Sequence, residues 1–331
     1  MKNLITGGAG FVGSHLTETL LARGEEVTII DDLSTGDIRN ILHLESNPRF
    51  TAVIDTIMKG SLVEELVKEC NIVYHLAAAV GVKFVVEKPL ESIQINVKGT
   101  EIILEAANRR RKKVVITSTS EIYGKGGKDA FCENDDMTLG PTTSHRWSYA
   151  LSKGLDEILG LTYYREKSLP VVIARLFNTC GPRQRGRYGM VIPRFVQQAL
   201  TEQPITVYGT GKQKRCFAYV GDVVEALITL AHKPEAEGEI FNIGNDEEIS
   251  IEDLARLVKE LTGSPSPIAY IPYDDAYEYG FEDMIKRAPD LTKIRNLIGY
   301  SPKVHLKELL ERVIAYYRSR GLGQPGHEEL L

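Results

Sequence analysis

The first half of the chain alternates short β-branched runs with segments that carry apolar residues at helical spacing. This alternation predicts a parallel sheet flanked by helices. The runs predicted as strands are almost wholly apolar, as expected where both faces of a parallel sheet are covered. We predict strands at Lys2–Thr6, Glu26–Asp31, Phe50–Ile54, Ile72–Leu76, Lys113–Thr117 and Pro170–Leu176. We predict helices between them at Phe11–Arg23, Ser61–Glu69, Pro89–Asn108 and Trp147–Tyr164.

The chain changes character after Asn178. Gly, Pro and Arg crowd together in Cys180–Gly189, which predicts an irregular loop. Ser250, with an acidic residue three positions on, is typical of a helix N-cap. For this half we predict helices near Pro193–Thr201, Val220–Leu230, Ile251–Thr262 and Leu306–Arg318, a strand at Ile205–Tyr208, and a frayed polar tail beyond Gly321.

The composition excludes several classes of protein. The 331 residues include 40 Lys and Arg against 45 Asp and Glu, so the chain lacks the net basic charge typical of nucleic-acid binding. Four scattered cysteines without C-x-x-C spacing indicate reduced thiols, and the seven histidines suggest no metal site. We expect no signal peptide, because the sequence reaches glycine by residue 7, and no stretch of about 18 uncharged apolar residues follows. We therefore expect a cytoplasmic protein without a membrane anchor.

A glycine-rich segment, Gly7-Gly8-Ala9-Gly10-Phe11-Val12-Gly13, lies between the first predicted strand and helix. A pyrophosphate needs the backbone N–H groups of a helix N-terminus, and side chains would hold it away. We expect Gly7 and Gly10 to allow the tight turn and the close approach, and Gly13 to let the helix lie against the strand. The spacing is G-x-x-G-x-x-G, not G-x-G-x-x-G, so the glycines alone are a weak signal and a plain βα turn is the alternative.

Asp31 ends the second predicted strand, 18 residues after Gly13. A carboxylate at that position accepts hydrogen bonds from the adenosine ribose hydroxyls and repels a 2′-phosphate. Asp32 adds negative charge and no Arg follows directly, so the pattern favours NAD over NADP. Asp55, after the third strand, either reaches the adenine amine or caps the strand end.

Tyr149 and Lys153 lie one helical turn apart on one face of a predicted helix. A nearby cation, helped by the positive charge of a nicotinamide, lowers the pKa of a phenol so that it can act as a base near neutral pH. Thr119, Ser120 and Glu121 stand at the C-terminal end of the strand that feeds this helix, where ligands of doubly wound folds bind. They would offer a hydrogen-bond donor and an acid or base. The structural alternatives are a half-buried helix face and an ST-turn cap.

Together these motifs resemble the extended short-chain dehydrogenase/reductase superfamily, specifically its nucleotide-sugar epimerases, dehydratases and decarboxylases. The likeness runs from Lys2 to about Tyr317. It rests on Gly7–Gly13, Asp31, His75-Leu76-Ala77-Ala78, Asn96-Val97-Lys98-Gly99-Thr100, Thr119-Ser120-Glu121, Tyr149 with Lys153, and Asn178. It implies an α/β fold: a doubly wound parallel-sheet Rossmann domain with a smaller C-terminal α/β substrate domain. We expect the NAD-binding domain over 1–177, with 205–235 returning to it, and the nucleotide-sugar domain over 178–204 and 236–331.

The same resemblance implies roles for individual residues. Tyr149 would be the general base, Lys153 its activator and ribose ligand, and Thr119 the hydroxyl that holds the 4-OH of the sugar. NAD would stay bound as a recycled catalyst, and the chain would form a homodimer through two helices per subunit. The cofactor-binding positions would be Gly7, Gly10, Phe11, Val12, Gly13, Asp31, Asp32, Asp55, Leu76, Ala77, Ala78, Asn96, Tyr149 and Lys153. The substrate-binding positions would be Thr119, Ser120, Glu121, Tyr149, Asn178, Arg215 and Arg287.

The two residues after Thr119 bear on the outcome of the reaction. The 4,6-dehydratases of the superfamily carry Asp and then Glu there, and simple 4-epimerases carry small or hydroxyl residues at both positions. Thr-Ser-Glu is instead the set found in UDP-glucuronic acid decarboxylases. Carried over, Ser120 would hydrogen-bond the carboxylate of UDP-glucuronate. Glu121 and Arg287 would handle that carboxylate and the proton delivered to C5, and the product would be a UDP-pentose.

Other stretches resemble different members. Arg146-Trp147-Ser148-Tyr149, Gly211–Phe217 and Gly280–Asp290 are similar to segments of the decarboxylases. Arg215 would meet the diphosphate, because two phosphates suit a bidentate guanidinium, and Arg287 could serve there too. The loop Gly181–Met190 is more like that of epimerases and dehydratases. A UDP-hexose or UDP-hexuronate 4-epimerase therefore stays open, as does a non-catalytic NAD-binding regulator.

Overall fold

The structure of the chain is a computed structural model that describes residues 1–80, 88–186, 190–272 and 286–321. Its strands are β1 (Lys2–Thr6), β2 (Glu26–Asp31), β3 (Phe50–Ile54), β4 (Ile72–His75), β5 (Lys113–Thr119), β6 (Val171–Leu176), β7 (Thr179–Cys180), β8 (Ile205–Tyr208), β9 (Lys214–Cys216), β10 (Ala218–Tyr219), β11 (Glu239–Ile243), β12 (Glu248–Ser250), β13 (Ile268–Ile271) and β14 (Lys286–Arg287). Its helices are α1 (Phe11–Ala22), α2 (Gly60–Glu69), α3 (Pro89–Ile93), α4 (Gly99–Arg110), α5 (Ser148–Lys167), α6 (Val191–Leu200), α7 (Val220–Ala231), α8 (Ile251–Thr262), α9 (Thr292–Ile298) and α10 (Leu306–Ser319).

The main sheet has seven parallel strands in the order β11-β6-β5-β4-β1-β2-β3. Strand order reverses between β1 and β4, and in a doubly wound sheet the ligand crevice lies outside the carboxyl ends of the strands at that point. The doubly wound Rossmann fold and the six strands predicted in the first half are confirmed. The seventh strand, β11, was not predicted.

Both faces of the main sheet are covered. Neighbouring residues of a strand point to opposite faces, so Leu4 packs in one apolar cluster and Ile5 in the other. Helices α1 and α7 cover the face of Ile5, whereas α2, α4 and α5 cover the face of Leu4. This two-sided burial explains why the strands read as nearly continuous apolar runs.

A second, smaller apolar core lies in the second half of the chain. It joins the apolar faces of α6, α8 and α10 to β8, which pairs in parallel with β13. Nearby, β9 pairs with β12 on one side and with β14 on the other. The predicted N-cap is confirmed, since the Ser250 hydroxyl accepts a hydrogen bond from Asp253 N over 3.0 Å at the start of α8.

Two parts of the expected domain division need correction. We assigned 236–331 to the substrate domain, but β11 pairs with β6 and closes the edge that β6 would otherwise present. We expected 205–235 to return to the NAD-binding domain, but β8 packs in the second core while α7 packs on the main sheet. The chain therefore passes between the two cores repeatedly. Across the described ranges, no helix is both long and apolar enough to cross a membrane.

Candidate active site

A cleft of about 500 Å³ follows the carboxyl ends of the main-sheet strands and continues into the second core. Most of the predicted site residues line it. These are Gly7, Gly10, Phe11, Val12, Gly13, Asp31, Asp32, Asp55, Leu76, Ala77, Ala78, Thr119, Ser120, Glu121, Tyr149, Asn178, Arg215 and Arg287. Asn96 and Lys153 are buried behind the lining.

The glycine segment forms an open cradle at the start of α1. Gly7 has φ +73°, and a Cβ there would lie 2.9 Å from Ala77 N, in the segment that follows β4. A Cβ on Gly13 would lie only 2.0 Å from Gly7 O, so the helix can approach the turn only without a side chain. The first turn of α1 carries no acidic residue. The cradle therefore leaves room for a pyrophosphate and nothing in the helix start repels it.

Asp31 closes the opposite wall of this cradle. Its Oδ2 accepts a hydrogen bond from Ala9 N over 2.9 Å, and its Oδ1 accepts one from Leu33 N over 2.8 Å. Burial raises the pKa of Asp31, and these backbone hydrogen bonds oppose that effect. Asp55 lies on the same wall and pairs with Lys59, whose hydrogen bond lowers the pKa of that carboxyl. The interaction of both carboxylates with adenosine remains a prediction.

Asn96 supports the lining from behind. The predicted helix Pro89–Asn108 is interrupted by a π-helical turn at Gln94–Lys98, which places Asn96 against the Leu76–Ala79 segment. Its Oδ1 accepts from Ala79 N over 2.8 Å, and its Nδ2 donates to Ser152 Oγ over 3.2 Å. Asn96 thus ties the segment after β4 to the helix that carries Tyr149.

Tyr149 and Lys153 stand one turn apart on α5, as predicted. Lys153 is 2% exposed, and its Nζ donates to Asp156 Oδ2 over 2.7 Å. Burial raises the pKa of Tyr149, the charges of Glu121 and Asp156 raise it further, and a hydrogen bond from Thr119 lowers it. The protein alone therefore shifts the pKa of the phenol in the direction opposite to the one we expected from Lys153, chiefly because the phenol is buried.

Glu121 lies between two arginines. Arg287 Nη1 donates to its Oε1 over 2.8 Å, and Arg146 Nη1 donates to its Oε2. Burial alone would raise the pKa of Glu121, but the charges of Arg146 and Arg287 outweigh it and lower the pKa to about 2. The carboxylate is therefore ionised at neutral pH, and the three groups together carry one positive charge.

Arg287 is also held by Asn178 and by its own strand. Its Nη2 donates to Asn178 Oδ1 over 2.8 Å, while Asn178 Nδ2 donates to Cys216 O over 2.8 Å. In the pairing of β14 with β9, Arg287 stands in register with Arg215, which is 7% exposed. The structure thus brings both predicted substrate arginines to one part of the cleft. The preceding stretch 280–285, part of the segment compared with the decarboxylases, lies outside the described residues.

Several lining residues were not predicted. Arg146 was quoted within a stretch of resemblance but given no role, although a guanidinium three residues before Tyr149 could have suggested one. Arg185 pairs with Asp37 over 2.6 Å, and hydrogen bonds from Arg39 and Arg185 outweigh burial and lower the pKa of Asp37. Arg146 and Arg185 line the cleft, together with Asn40, Arg183, Arg194, Tyr208, Gln213 and Phe217.

Comparison with known proteins places this geometry in a family. A family model described as GDP-mannose 4,6 dehydratase matches residues 4–313. The chain belongs to this family of extended short-chain dehydrogenases/reductases. It is an NAD-dependent nucleotide-sugar enzyme, and the Gly7–Gly13 cradle, which a Cβ would fill, fits the dinucleotide.

Relatives within this family include decarboxylases and epimerases. The chain is 44% identical over 316 residues to a UDP-N-acetyl-alpha-D-glucosaminuronate decarboxylase of Bacillus cytotoxicus, covering 95% of this chain and 97% of that protein. It is 37% identical over 324 residues to UDP-glucuronic acid decarboxylase 1 of Arabidopsis thaliana, covering 98% and 71%. The structure is similar to that of UDP-glucuronic acid 4-epimerase from Bacillus cereus in complex with UDP-glucuronic acid and NAD, with a TM-score of 0.87 and 30% identity over 97% and 100% of the chains.

Proposed function

We propose that this chain decarboxylates a UDP-hexuronate through a 4-keto sugar and releases a UDP-pentose, UDP-xylose or its 4-keto form in the case of UDP-glucuronate. The observation that carries the proposal is the cluster of Glu121, Arg146 and Arg287 beside Tyr149 and Thr119. Its net positive charge offers a place for a sugar carboxylate next to the groups that act on the 4-hydroxyl.

The first step removes the proton of the 4-hydroxyl and a hydride from C4. Thr119 holds the 4-hydroxyl, and the Tyr149 phenolate takes its proton. When bound, NAD+ supplies the hydride acceptor and a positive charge beside Tyr149. Because burial, Glu121 and Asp156 all raise the pKa of Tyr149, the phenolate depends on that added charge and on Lys153. Lys153 and Asp156 form a buried pair that fixes the position of the ammonium group.

The second step breaks the bond between C5 and C6. A ketone at C4 makes the uronate a β-keto acid, so carbon dioxide departs and its bonding electrons form an enolate. The arriving sugar carboxylate competes with Glu121 for Arg146 and Arg287, and a second negative charge nearby raises the pKa of Glu121. Glu121 can then hold the proton that C5 receives. For UDP-xylose, C4 regains the hydride and Tyr149 returns the proton to the C4 oxygen; release of the 4-keto form instead leaves the cofactor reduced. Ser120 hydrogen-bonds the carboxylate, and Arg215 binds the diphosphate.

The sugar can be UDP-glucuronate or its 2-acetamido counterpart. The Thr119-Ser120-Glu121 set supports UDP-glucuronate, as does the Arabidopsis relative. The Bacillus cytotoxicus relative, at 44% identity, supports the acetamido sugar. A hexuronate 4-epimerase is the second candidate, favoured by the likeness to the Bacillus cereus epimerase. The same positive cluster would serve it, with the carboxylate retained.

Product analysis tests the proposal. Purified protein is incubated with UDP-glucuronate, its 2-acetamido counterpart, UDP-glucose and UDP-galactose, and carbon dioxide and product masses are measured. We expect carbon dioxide and a UDP-pentose from at least one of the two uronates. Interconversion of C4 epimers without carbon dioxide would favour the epimerase.

We also propose that the chain forms a homodimer. Leu151, Leu155 and Ile158 stand exposed on one face of α5, and Leu90 and Ile93 stand exposed on α3, which packs against α5. Large apolar side chains that share one exposed face are typical of protein interfaces. The second copy of this chain is the partner expected from the resemblance.

A cytoplasmic location is part of the proposal. The four cysteines Cys70, Cys132, Cys180 and Cys216 are all unpaired, which suits a reducing compartment. Fractionation of cells that express the tagged chain, with blotting of each fraction, checks this location.

A further inference from the structure

A buried group of side chains lies beneath the active site and joins its two halves. We call it the anchor cluster, and it consists of Tyr123, Phe131, Arg175 and Asn242. These residues are between 0% and 5% exposed, and none of their side chains lines the cleft. They can act on the reaction only through the residues that they hold.

Tyr123 connects the cluster to Glu121. Both residues belong to the same 3₁₀ turn, Ser120–Tyr123, directly after β5. The Tyr123 ring stacks on Phe131 with centroids 4.8 Å apart. Its hydroxyl donates to Asn242 Oδ1 over 2.7 Å and accepts from Arg175 Nη1 over 2.9 Å. The turn that carries Glu121 is therefore fixed by ring contacts and by two buried hydrogen bonds.

Phe131 connects the cluster to Arg287. Phe131 N donates to Ala288 O over 2.9 Å, and Phe131 O accepts from Asp290 N over 2.8 Å. Asn242 Nδ2 donates to that same Phe131 oxygen over 2.8 Å. The backbone directly after Arg287 is thus pinned to Phe131, and Phe131 is pinned to Asn242 in the main sheet.

Arg175 extends the cluster to the helix of Tyr149. Its Nη2 donates to Glu157 Oε2 over 2.7 Å, and Glu157 stands on α5 two turns after Tyr149. The Glu157 carboxylate also accepts from Ser118 Oγ, one residue before Thr119. The turn that carries Glu121, the strand that carries Arg287 and the helix that carries Tyr149 therefore meet in one hydrogen-bonded network. Within it, the three segments have little freedom to shift separately.

We propose that Asn242 and Tyr123 are positioning residues that set the relation between Glu121 and Arg287, and through it the preference for a sugar that carries a carboxylate. This inference rests on the proposed function. A shift of about 1 Å in a positioned group can change a rate or an affinity by tenfold or more. Loss of the Asn242 side chain removes the hydrogen bond that ties Phe131 to the main sheet. Arg287 keeps its bonds to Glu121 and Asn178, but the backbone after it is less firmly held, so its position relative to Glu121 would be less well fixed.

Ligand binding tests the inference without relying on turnover. Affinities for UDP-glucuronate, its 2-acetamido counterpart, UDP-glucose and UDP are measured by calorimetry on NAD-loaded protein with the wild-type anchor cluster and on the variants Asn242→Ala, Tyr123→Phe, the double variant of these two, and Val67→Ala. All of these proteins also carry Tyr149→Phe, so that the uronates bind without being turned over. Bound NAD and thermal unfolding are recorded for each. Val67 is a buried residue of α2 in another cluster, so its variant lowers stability without touching the anchor cluster.

The wild type should prefer a uronate over UDP-glucose. In Asn242→Ala we expect the affinity for that uronate to fall by about tenfold, with UDP, UDP-glucose and NAD content unchanged. Tyr123→Phe, which keeps the ring stack, should give a smaller fall. The double variant should match Asn242→Ala alone if the two residues act as one unit. Val67→Ala should keep the wild-type preference.

Two results would overturn the inference alone: a folded Asn242→Ala that keeps the full preference, or an equal loss for all four ligands. If Asn242→Ala does not fold, an unchanged preference in Tyr123→Phe overturns it. A wild type without any preference for a uronate would contradict the proposed carboxylate role as well. Carbon dioxide release by the wild type, measured separately, tells the two failures apart.

Discussion

Arg287 Nη1 donates to Glu121 Oε1 over 2.8 Å, although the two residues stand 166 positions apart in the chain. Glu121 follows a strand of the main sheet, whereas Arg287 comes from the small sheet of β9, β12 and β14. The contact therefore spans the cleft and joins its two walls. In the proposed reaction, the carboxylate of the sugar binds at this junction.

Tyr149→Phe should abolish turnover and leave NAD bound. The variant removes the proton acceptor but keeps the ring, so the cleft retains its shape. General acid–base groups typically contribute about 10² to 10⁴ in rate, and we expect a loss at the upper end because the Tyr149 phenol contacts Thr119, the residue that would hold the 4-hydroxyl. Carbon dioxide release and the NAD content of denatured protein are measured. Tyr164→Phe, on the exposed side of the same helix, is the control, and a near-normal rate in Tyr149→Phe contradicts the assignment.

Glu121 should make the stability of the protein depend on acid pH. The arginines hold its pKa at about 2 against a value of 4.5 in an unfolded chain. Its contribution is therefore fully present above pH 4.5 and is lost as the pH falls towards 2, and its full size is about 3 kcal/mol. We expect the difference in unfolding free energy between wild type and Glu121→Gln to shrink by about half between pH 6 and pH 3.

Urea titrations across that pH range give the measurement. Glu260→Gln, on the exposed face of α8, is the matched control and should change the unfolding free energy only slightly. A constant difference for Glu121→Gln would mean that the two arginines do not hold the carboxylate as the structure places it.

Substitutions of two glycines in the cradle should both abolish NAD binding but differ in their effect on stability. Gly13→Ala places a methyl group 2.0 Å from Gly7 O, so the backbone must move, and we expect a loss of about 1 to 3 kcal/mol in stability together with loss of NAD. Gly10→Ala meets only Gly7 O, at 3.1 Å, and should fold but lose NAD because its methyl group occupies the cradle. Gly60→Ala, with 3.9 Å to its nearest neighbour, is the control. Thermal unfolding and absorbance of released NAD report both effects.

The apolar face of α3 and α5 should hold two copies of the chain together. Ile158→Arg places a charge at a position that is 59% exposed in the single chain and should convert the dimer to monomers. Ile54→Arg, at an exposed position of β3, should leave the assembly unchanged. Sedimentation velocity at several concentrations distinguishes the species. A monomeric wild type would contradict the proposed homodimer directly.

Features that are local in the chain could be predicted from sequence. The glycine segment, Asp31 and the spacing of Tyr149 and Lys153 each lie within one turn, strand or helix, so periodicity and residue type suffice. The pairing of Lys153 with Asp156 was missed, although they are only three positions apart, because its energetic effect depends on burial of both groups. Glu121 and Arg287 were both named, but their mutual contact depends on how distant strands pair, which spacing alone does not encode.

Short or edge elements were also missed for a physical reason. β9, β12 and β14 have two or three residues each, too few for a period of two to stand out. β11 carries the sequence Glu-Ile-Phe-Asn-Ile, in which Asn242 interrupts the apolar run. That asparagine can be buried in the sheet because its side chain hydrogen-bonds to Tyr123 and Phe131, which lie more than a hundred positions away.

The repeated passage of the chain between its two cores limits how the protein can be divided. Truncation after residue 177 would remove both α7 and β11. Strand β6 would then become an exposed edge strand, and α1 would lose its packing against α7. We therefore expect neither half to fold as an autonomous fragment. Chimaeras with related enzymes would have to exchange several separate segments at once, since the units are contiguous in space but scattered along the gene.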